Sequence, residues 1–192
     1  MTRKVLEFSC QLEDLTATEA LGEALGSHLS AGDLVILTGS LGAGKTTLTQ
    51  SLGLGLNVRE GIISPTFVLA RQHPSLADGP GLIHVDAYRL NGDSDVDTLD
   101  LESTLADSVT VVEWGLGKVE HLSDSRLEIQ LDREVWAVPA SNPWEESDEE
   151  LDEPRLFTLK AIGPRWAEEN FTELKNALLQ AIGLQHSGET HA

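Results

Sequence analysis

Residues 39–47, Gly-Ser-Leu-Gly-Ala-Gly-Lys-Thr-Thr, constrain this chain more than any other stretch. They match G-x-x-x-x-G-K-[ST], and their flanks match the structural demands of that pattern. An apolar run from Asp33 to Thr38 leads in, and a helical stretch from about Lys45 to Leu54 leads out. A buried strand, a tight glycine turn and a helix start, in that order, make a concavity of inward-pointing backbone N–H groups. The positive end of the helix dipole lies behind it, so the concavity takes anions. Gly39, Gly42 and Gly44 supply the turn, while Leu41, Ala43, Lys45, Thr46 and Thr47 complete the cradle. In the general pattern Lys45 reaches the β- and γ-phosphates of a nucleotide and the Thr46 hydroxyl ligates magnesium. Chance produces such a match in a chain of this length on the order of 1% of the time. A site for ATP and Mg2+ is the expectation.

The flanking elements set the fold class. Leu21, Ala24, Leu25 and Leu29 share one helical face behind a capping box read at Thr16–Glu19. Apolar runs at Phe67–Arg71, Leu82–Asp86 and Val109–Glu113 predict further strands, and Leu99, Leu101 and Leu105 predict a short amphipathic helix. Arg126–Leu131 and Arg155–Lys160 alternate polar with apolar, as two half-exposed strands of an antiparallel hairpin do. A closing helix presents Phe171, Leu174, Leu178 and Ile182 on one face and stops at Gly183. Strands alternating with helices, then a hairpin, predict an α/β fold of the P-loop NTPase type. Its central sheet is expected to be mainly parallel and flanked by helices, with the hairpin and closing helix appended. A single domain over residues 1–184 is expected, with an acidic loop inserted at about 137–154 and a disordered tail at 185–192.

Charge narrows the partners. Thirteen basic against 32 acidic residues leave a net charge of −19. Nucleic-acid affinity rests largely on Lys and Arg neutralising phosphates, so direct binding to DNA or RNA is not expected. Any phosphate is gripped locally, against the global field. Residues 145–153, EESDEELDE, carry seven acids and no base, and read as a solvated loop. Cys10 is the sole cysteine, so no internal disulfide forms, and no stretch approaches the length of a membrane span. A cytoplasmic protein with no membrane contact is the expectation.

Phosphoryl transfer needs an acidic anchor for the metal on a neighbouring strand. Asp86 and Glu113 each end an apolar run, where open α/β sheets gather their ligands. Asp86 reads as a metal anchor or as a strand-end cap. Glu113 reads as a metal ligand, as the base that orients the attacking water, or as a turn residue. Thr66, in Ser64-Pro65-Thr66, reads either as a hydroxyl sensing the γ-phosphate or as part of an ordinary turn. The six histidines show no metal-ligand spacing, which argues against zinc.

Four blocks then stand in order: GSLGAGKTT (39–47), SPTF (64–67), HVDAYRL (84–90) and VEW (112–114). Together they resemble the TsaE family, small bacterial P-loop ATPases of tRNA threonylcarbamoyladenosine biosynthesis. The resemblance spans roughly residues 14–131. It implies an ATP hydrolase that binds the TsaB–TsaD pair and meets tRNA only through that complex. TsaD transfers the threonylcarbamoyl group, and hydrolysis by the TsaE-like subunit resets the complex between turnovers. By position it implies Lys45 and Thr46 as phosphate and magnesium residues, Thr66 as the switch-like threonine, Asp86 as the second-strand acid and Glu113-Trp114 as the Glu-Trp pair. Catalytic roles thus fall to Lys45, Glu113 and Thr66, and metal roles to Thr46, Asp86 and Glu113. Arg155 is a further candidate for the adenine side of the nucleotide. Ser40 departs from the Asp common at that position of the family.

A small P-loop kinase acting on a metabolite is the chief alternative. It needs an arginine-bearing lid, whereas the eight arginines here are scattered and the stretch after Asp86 is acidic. No N-K-x-D motif for reading guanine is present, and an ATP-binding scaffold without turnover is the third reading. Without an evident arginine finger, hydrolysis by the isolated chain is expected to be slow and stimulated by partners.

Overall fold

Apolar periodicity decides most of the elements in the computed structural model, which describes residues 4–59, 61–65, 69–90, 95–96, 99–133 and 153–183. In chain order they are β1 (Val5–Leu12), α1 (Leu15–His28), β2 (Leu34–Gly39), α2 (Lys45–Gly55), β3 (Ala70–His73) and β4 (Gly81–Asp86). There follow α3 (Leu101–Leu105), β5 (Ser108–Glu113), β6 (Arg126–Arg133), β7 (Arg155–Ile162) and α4 (Glu168–Ala181). The strands form one sheet in the order β1-β7-β6-β2-β5-β4-β3.

The sheet is mixed rather than mainly parallel. Its middle strands β6, β2, β5 and β4 run parallel, but β1–β7, β7–β6 and β3–β4 are antiparallel. The physical reason lies at the edges. The crossover carrying α3 joins β4 to the parallel β5, whereas α2 leads from β2 to the edge strand β3, which runs antiparallel to β4. The hairpin read at 126–131 and 155–160 is present and longer than expected, with Arg126 opposite Ile162 and Arg133 opposite Arg155. The strand expected at 67–71 begins at Ala70; residues 66–68 lie outside those described, as do the acidic residues 145–152 and the tail.

Two apolar layers flank the sheet. On one face α1, α2 and α4 bury Leu21, Leu25, Leu48, Leu52, Leu174 and Leu178 against β-strand residues such as Val35, Leu37 and Val111. On the other, Ile36, Val85 and Val112 pack with Leu101 of α3 and Val119. Helix α1 is capped by Asp14, whose carboxylate accepts from the Ala17 N–H at 2.7 Å, so the cap lies two residues before the expected box. The α1–α2 crossing depends on small residues. A Cβ on Gly26 would stand 2.1 Å from the Leu52 carbonyl oxygen, and one on Gly55 2.0 Å from that of Glu23. That close approach brings the start of α2 to the carboxyl ends of β2, β4 and β5, where the site forms.

Candidate functional site

The glycine-rich loop leaves β2 at Gly39 and enters α2 at Lys45. Gly39, Gly42 and Gly44 have φ of +138°, +75° and +100°, conformations costly for any residue with a Cβ. At Gly39 the constraint is double, since a Cβ there would lie 2.1 Å from the Leu131 carbonyl oxygen. Leu41 stands at the tip, 88% exposed, so its part in the cradle is its backbone.

Lys45 is buried, its Nζ donating to the carbonyls of Gly39 and Ser40, each at 2.9 Å. The ammonium also sits 3.9 Å from the centroid of the Trp114 ring. Burial pulls its pKa below the ordinary 10.5, opposed by the negative charges of Glu113 and Asp86. The same desolvation makes this ammonium a strong partner for an anion entering the loop.

Thr46, one residue on, donates its hydroxyl hydrogen to Glu113 Oε1 at 3.0 Å. Glu113 closes β5 and lies in register with Leu37 of β2 on one side and Asp86 of β4 on the other. Parallel pairing therefore sets the two carboxylates side by side at the sheet's carboxyl edge, both buried. Asp86 does two things at once. Its Oδ1 accepts from the Tyr88 N–H at 2.9 Å, the strand-end cap, and its Oδ2 accepts from the Ser64 hydroxyl at 3.3 Å inside the groove. Loop, α2 start, Ser64, Asp86, Glu113 and Trp114 enclose a groove of about 410 Å³.

A hydroxyl and two carboxylates are hard oxygen donors of the type Mg2+ prefers. Among the described residues no group of three or more His, Cys, Asp or Glu is placed to hold a metal by itself. The donor set therefore suits a cation that shares its shell with phosphate oxygens and water, as Mg2+ characteristically does. Thr66 lies outside the described residues.

A second cavity, about 170 Å³, opens on the other side of Gly42–Gly44 and Thr47. Arg155, Arg133, Asp14 and Thr18 line it. Arg155 donates to the Pro154 carbonyl at 3.3 Å and to that of Glu153, and pairs with the Glu153 carboxylate at 3.7 Å. The two chambers meet at the loop, one at its lysine side and one at its arginine side.

A family model described as threonylcarbamoyl adenosine biosynthesis protein TsaE matches residues 12–137. The chain belongs to the TsaE family. The Streptomyces coelicolor protein named tRNA threonylcarbamoyladenosine biosynthesis protein TsaE is 54% identical over 148 residues, covering 77% of this chain and 92% of that protein. Its Bacillus subtilis namesake is 33% identical over 141 residues, or 70% of this chain and 87% of that one. The crystal structure of Bacillus subtilis YdiB superposes with a TM-score of 0.62 at 28% identity, covering 92% of this chain and 97% of the other. Membership ties the chain to the biosynthesis of threonylcarbamoyladenosine in tRNA, as the resemblance implied.

This TsaE-family site contains contacts that the sequence does not display. His84 reaches Glu113 from within the sheet. Trp114, the second residue of the Glu-Trp pair, lies against the Lys45 ammonium. Arg133 places its guanidinium carbon 3.8 Å from where a Gly42 Cβ would be, at the end of β6. The alternation of β4 puts His84 and Asp86 on one face, a signal available in the sequence; Arg133 carried none, because only the hairpin register brings it to the loop.

Proposed function

We propose that this chain is a magnesium-dependent ATP hydrolase of the P-loop type that serves the TsaB–TsaD pair in tRNA threonylcarbamoyladenosine formation. One observation carries the reading. Lys45 and Thr46 from one helix start and Glu113 from the neighbouring strand converge on a single groove, with Thr46 and Glu113 already in contact at 3.0 Å. In this reading the ATP triphosphate lies along Gly39–Thr47, held by loop N–H groups, and Lys45 exchanges its carbonyl partners for phosphate oxygens. Thr46, with Glu113 and Asp86, would hold Mg2+, which supplies charge neutralisation at the phosphates when bound. Glu113 orients the attacking water and takes its proton. Thr66, two residues after Ser64 in the sequence, reports the γ-phosphate to the partner surface. Arg155 and its cavity serve the nucleoside end. A protein acting through subunit contacts in the cytoplasm needs no tRNA-binding face, which accords with a charge of −19; among the described residues no helix is long and apolar enough to cross a membrane.

Steady-state ATP hydrolysis by the purified chain, alone and with a purified TsaB–TsaD pair, tests this. A low basal rate that climbs when the pair is added is the expected result. Binding of ATP with no rise in hydrolysis would overturn the partner role and turn attention to phosphate acceptors, as a small kinase requires.

A further inference from the structure

His84 lies in the middle of β4 with no exposed surface, yet it is not an apolar core residue. Its Nε2 sits 2.8 Å from Glu113 Oε1, the oxygen that also accepts the Thr46 hydroxyl. An ionised carboxylate only accepts, so Nε2 carries the hydrogen. The other ring nitrogen, Nδ1, is buried and has no hydrogen-bond partner among the described residues. A half-satisfied imidazole inside a sheet costs stability, and an apolar residue of similar size would fill the space without that cost. What the imidazole provides is the one bond it does make.

We propose that His84 is a positioning residue that locks the Glu113 carboxylate so that Oε1 is held by the protein and Oε2 faces the groove. The terminal torsion of a glutamate is soft and roughly twofold, so a carboxylate with a single donor swivels. Two donors on one oxygen, one from the neighbouring strand β4 and one from the start of α2, remove that freedom. The Thr46 hydrogen bond belongs to a hydroxyl in the first turn of α2. The His84 bond comes from a side chain with no exposed surface, inside the sheet. Preorganising a charged group before the reaction, rather than during it, is how a remote residue lowers a barrier. The inference rests on the ATP hydrolase reading, since it assigns Glu113 work at Oε2.

The test uses His84→Leu and His84→Gln, each in the wild-type chain and in Glu113→Gln. Four quantities are measured: kcat, KM for ATP, the affinity for ADP without magnesium, and the Mg2+ concentration that half-saturates the ADP-bound protein. His84→Leu is expected to lower kcat at least tenfold and to raise the half-saturating Mg2+ at least fivefold. KM and metal-free ADP affinity are expected to stay within threefold. His84→Gln, which keeps an N–H donor, is expected to recover at least threefold of the lost kcat. In the Glu113→Gln background His84→Leu is expected to add less than a twofold further loss, because the two changes break one contact. Equal losses in both backgrounds would make His84 a packing residue and overturn the proposal, as would a His84→Leu protein with unchanged kcat and Mg2+ affinity. Should a melting curve show His84→Leu unfolded, His84→Gln supplies the same comparison, its additivity with Glu113→Gln being the overturning result. A wild-type chain that binds ATP and never hydrolyses it, alone or with partners, would overturn the hydrolase reading and this inference with it. A hydrolysing wild type with an indifferent His84 overturns the inference alone.

Discussion

Lys45 carries a charge the fold pays to bury. Its pKa lies below 10.5 because burial outweighs the pull of Glu113 and Asp86. Between the folded and unfolded values the unfolded chain binds more protons, so stability rises with pH across that window. Below it the penalty is present in full. Lys45→Met removes the group, and its melting advantage over wild type is expected to be largest at low pH and to shrink as the pH rises toward 10.5 in thermal melts. The same residue is the main phosphate contact in the proposed mechanism. Lys45→Ala is therefore expected to cut ATP turnover about 100-fold or more, each lost charge-assisted hydrogen bond being worth about 1.5–3 kcal/mol, with a melt no worse than wild type. A turnover assay and a melt on the same preparation check both halves.

At the scale of elements, the α1–α2 contact is the joint on which the site hangs. Gly55→Ala drives a methyl group into the Glu23 carbonyl of α1, a backbone atom that cannot step aside. Overpacking of this type costs about 1–3 kcal/mol, so a fall of several degrees in the melting temperature is expected. The sequence made α1, α2, β2, β4 and the β6–β7 hairpin legible because each carries a local period or local punctuation. β1 has the same alternation, with Phe8, Cys10 and Leu12 buried between exposed neighbours, yet it lies outside the motif-bearing region and was not read as a strand. In the site, Lys45 and Thr46 were legible because they are contiguous with the loop that orients them. Asp86 and Glu113 were legible as strand ends. Their side-by-side setting, and the reach of His84 and Arg133, depend on which strands pair and in what register, which no single stretch encodes. Cys10 offers a probe of β1: burial pushes its thiol up to about 11. Labelling by a disulfide reagent at about pH 8 is expected to be negligible in the folded protein and rapid in denaturant, since only the thiolate reacts.

Across the whole molecule, the balance of charge disfavours direct contact of this chain with a phosphate backbone. With a net charge of −19 it repels a phosphate backbone, and the basic groups of the site are committed, Lys45 to its loop and Arg133 and Arg155 to Glu153. A mobility-shift experiment with tRNA at physiological salt is expected to show no complex with the chain alone, and a shift only when its partners are present.

The strand order has a consequence for synthesis. Of the seven strands β1 leaves the ribosome first, and among the described residues it pairs with β7 alone, with Val5 opposite Ile162 and Leu12 opposite Arg155. The loop, α2, β4 and β5 all emerge earlier than β7, so the nucleotide cradle can assemble while β1 still waits unpaired. Translation therefore runs ahead of closure: β1 is made before the other strands and is paired only once β7 has followed. A nascent chain stalled before residue 155 leaves the alternating face of Phe8, Cys10 and Leu12 without its partner strand.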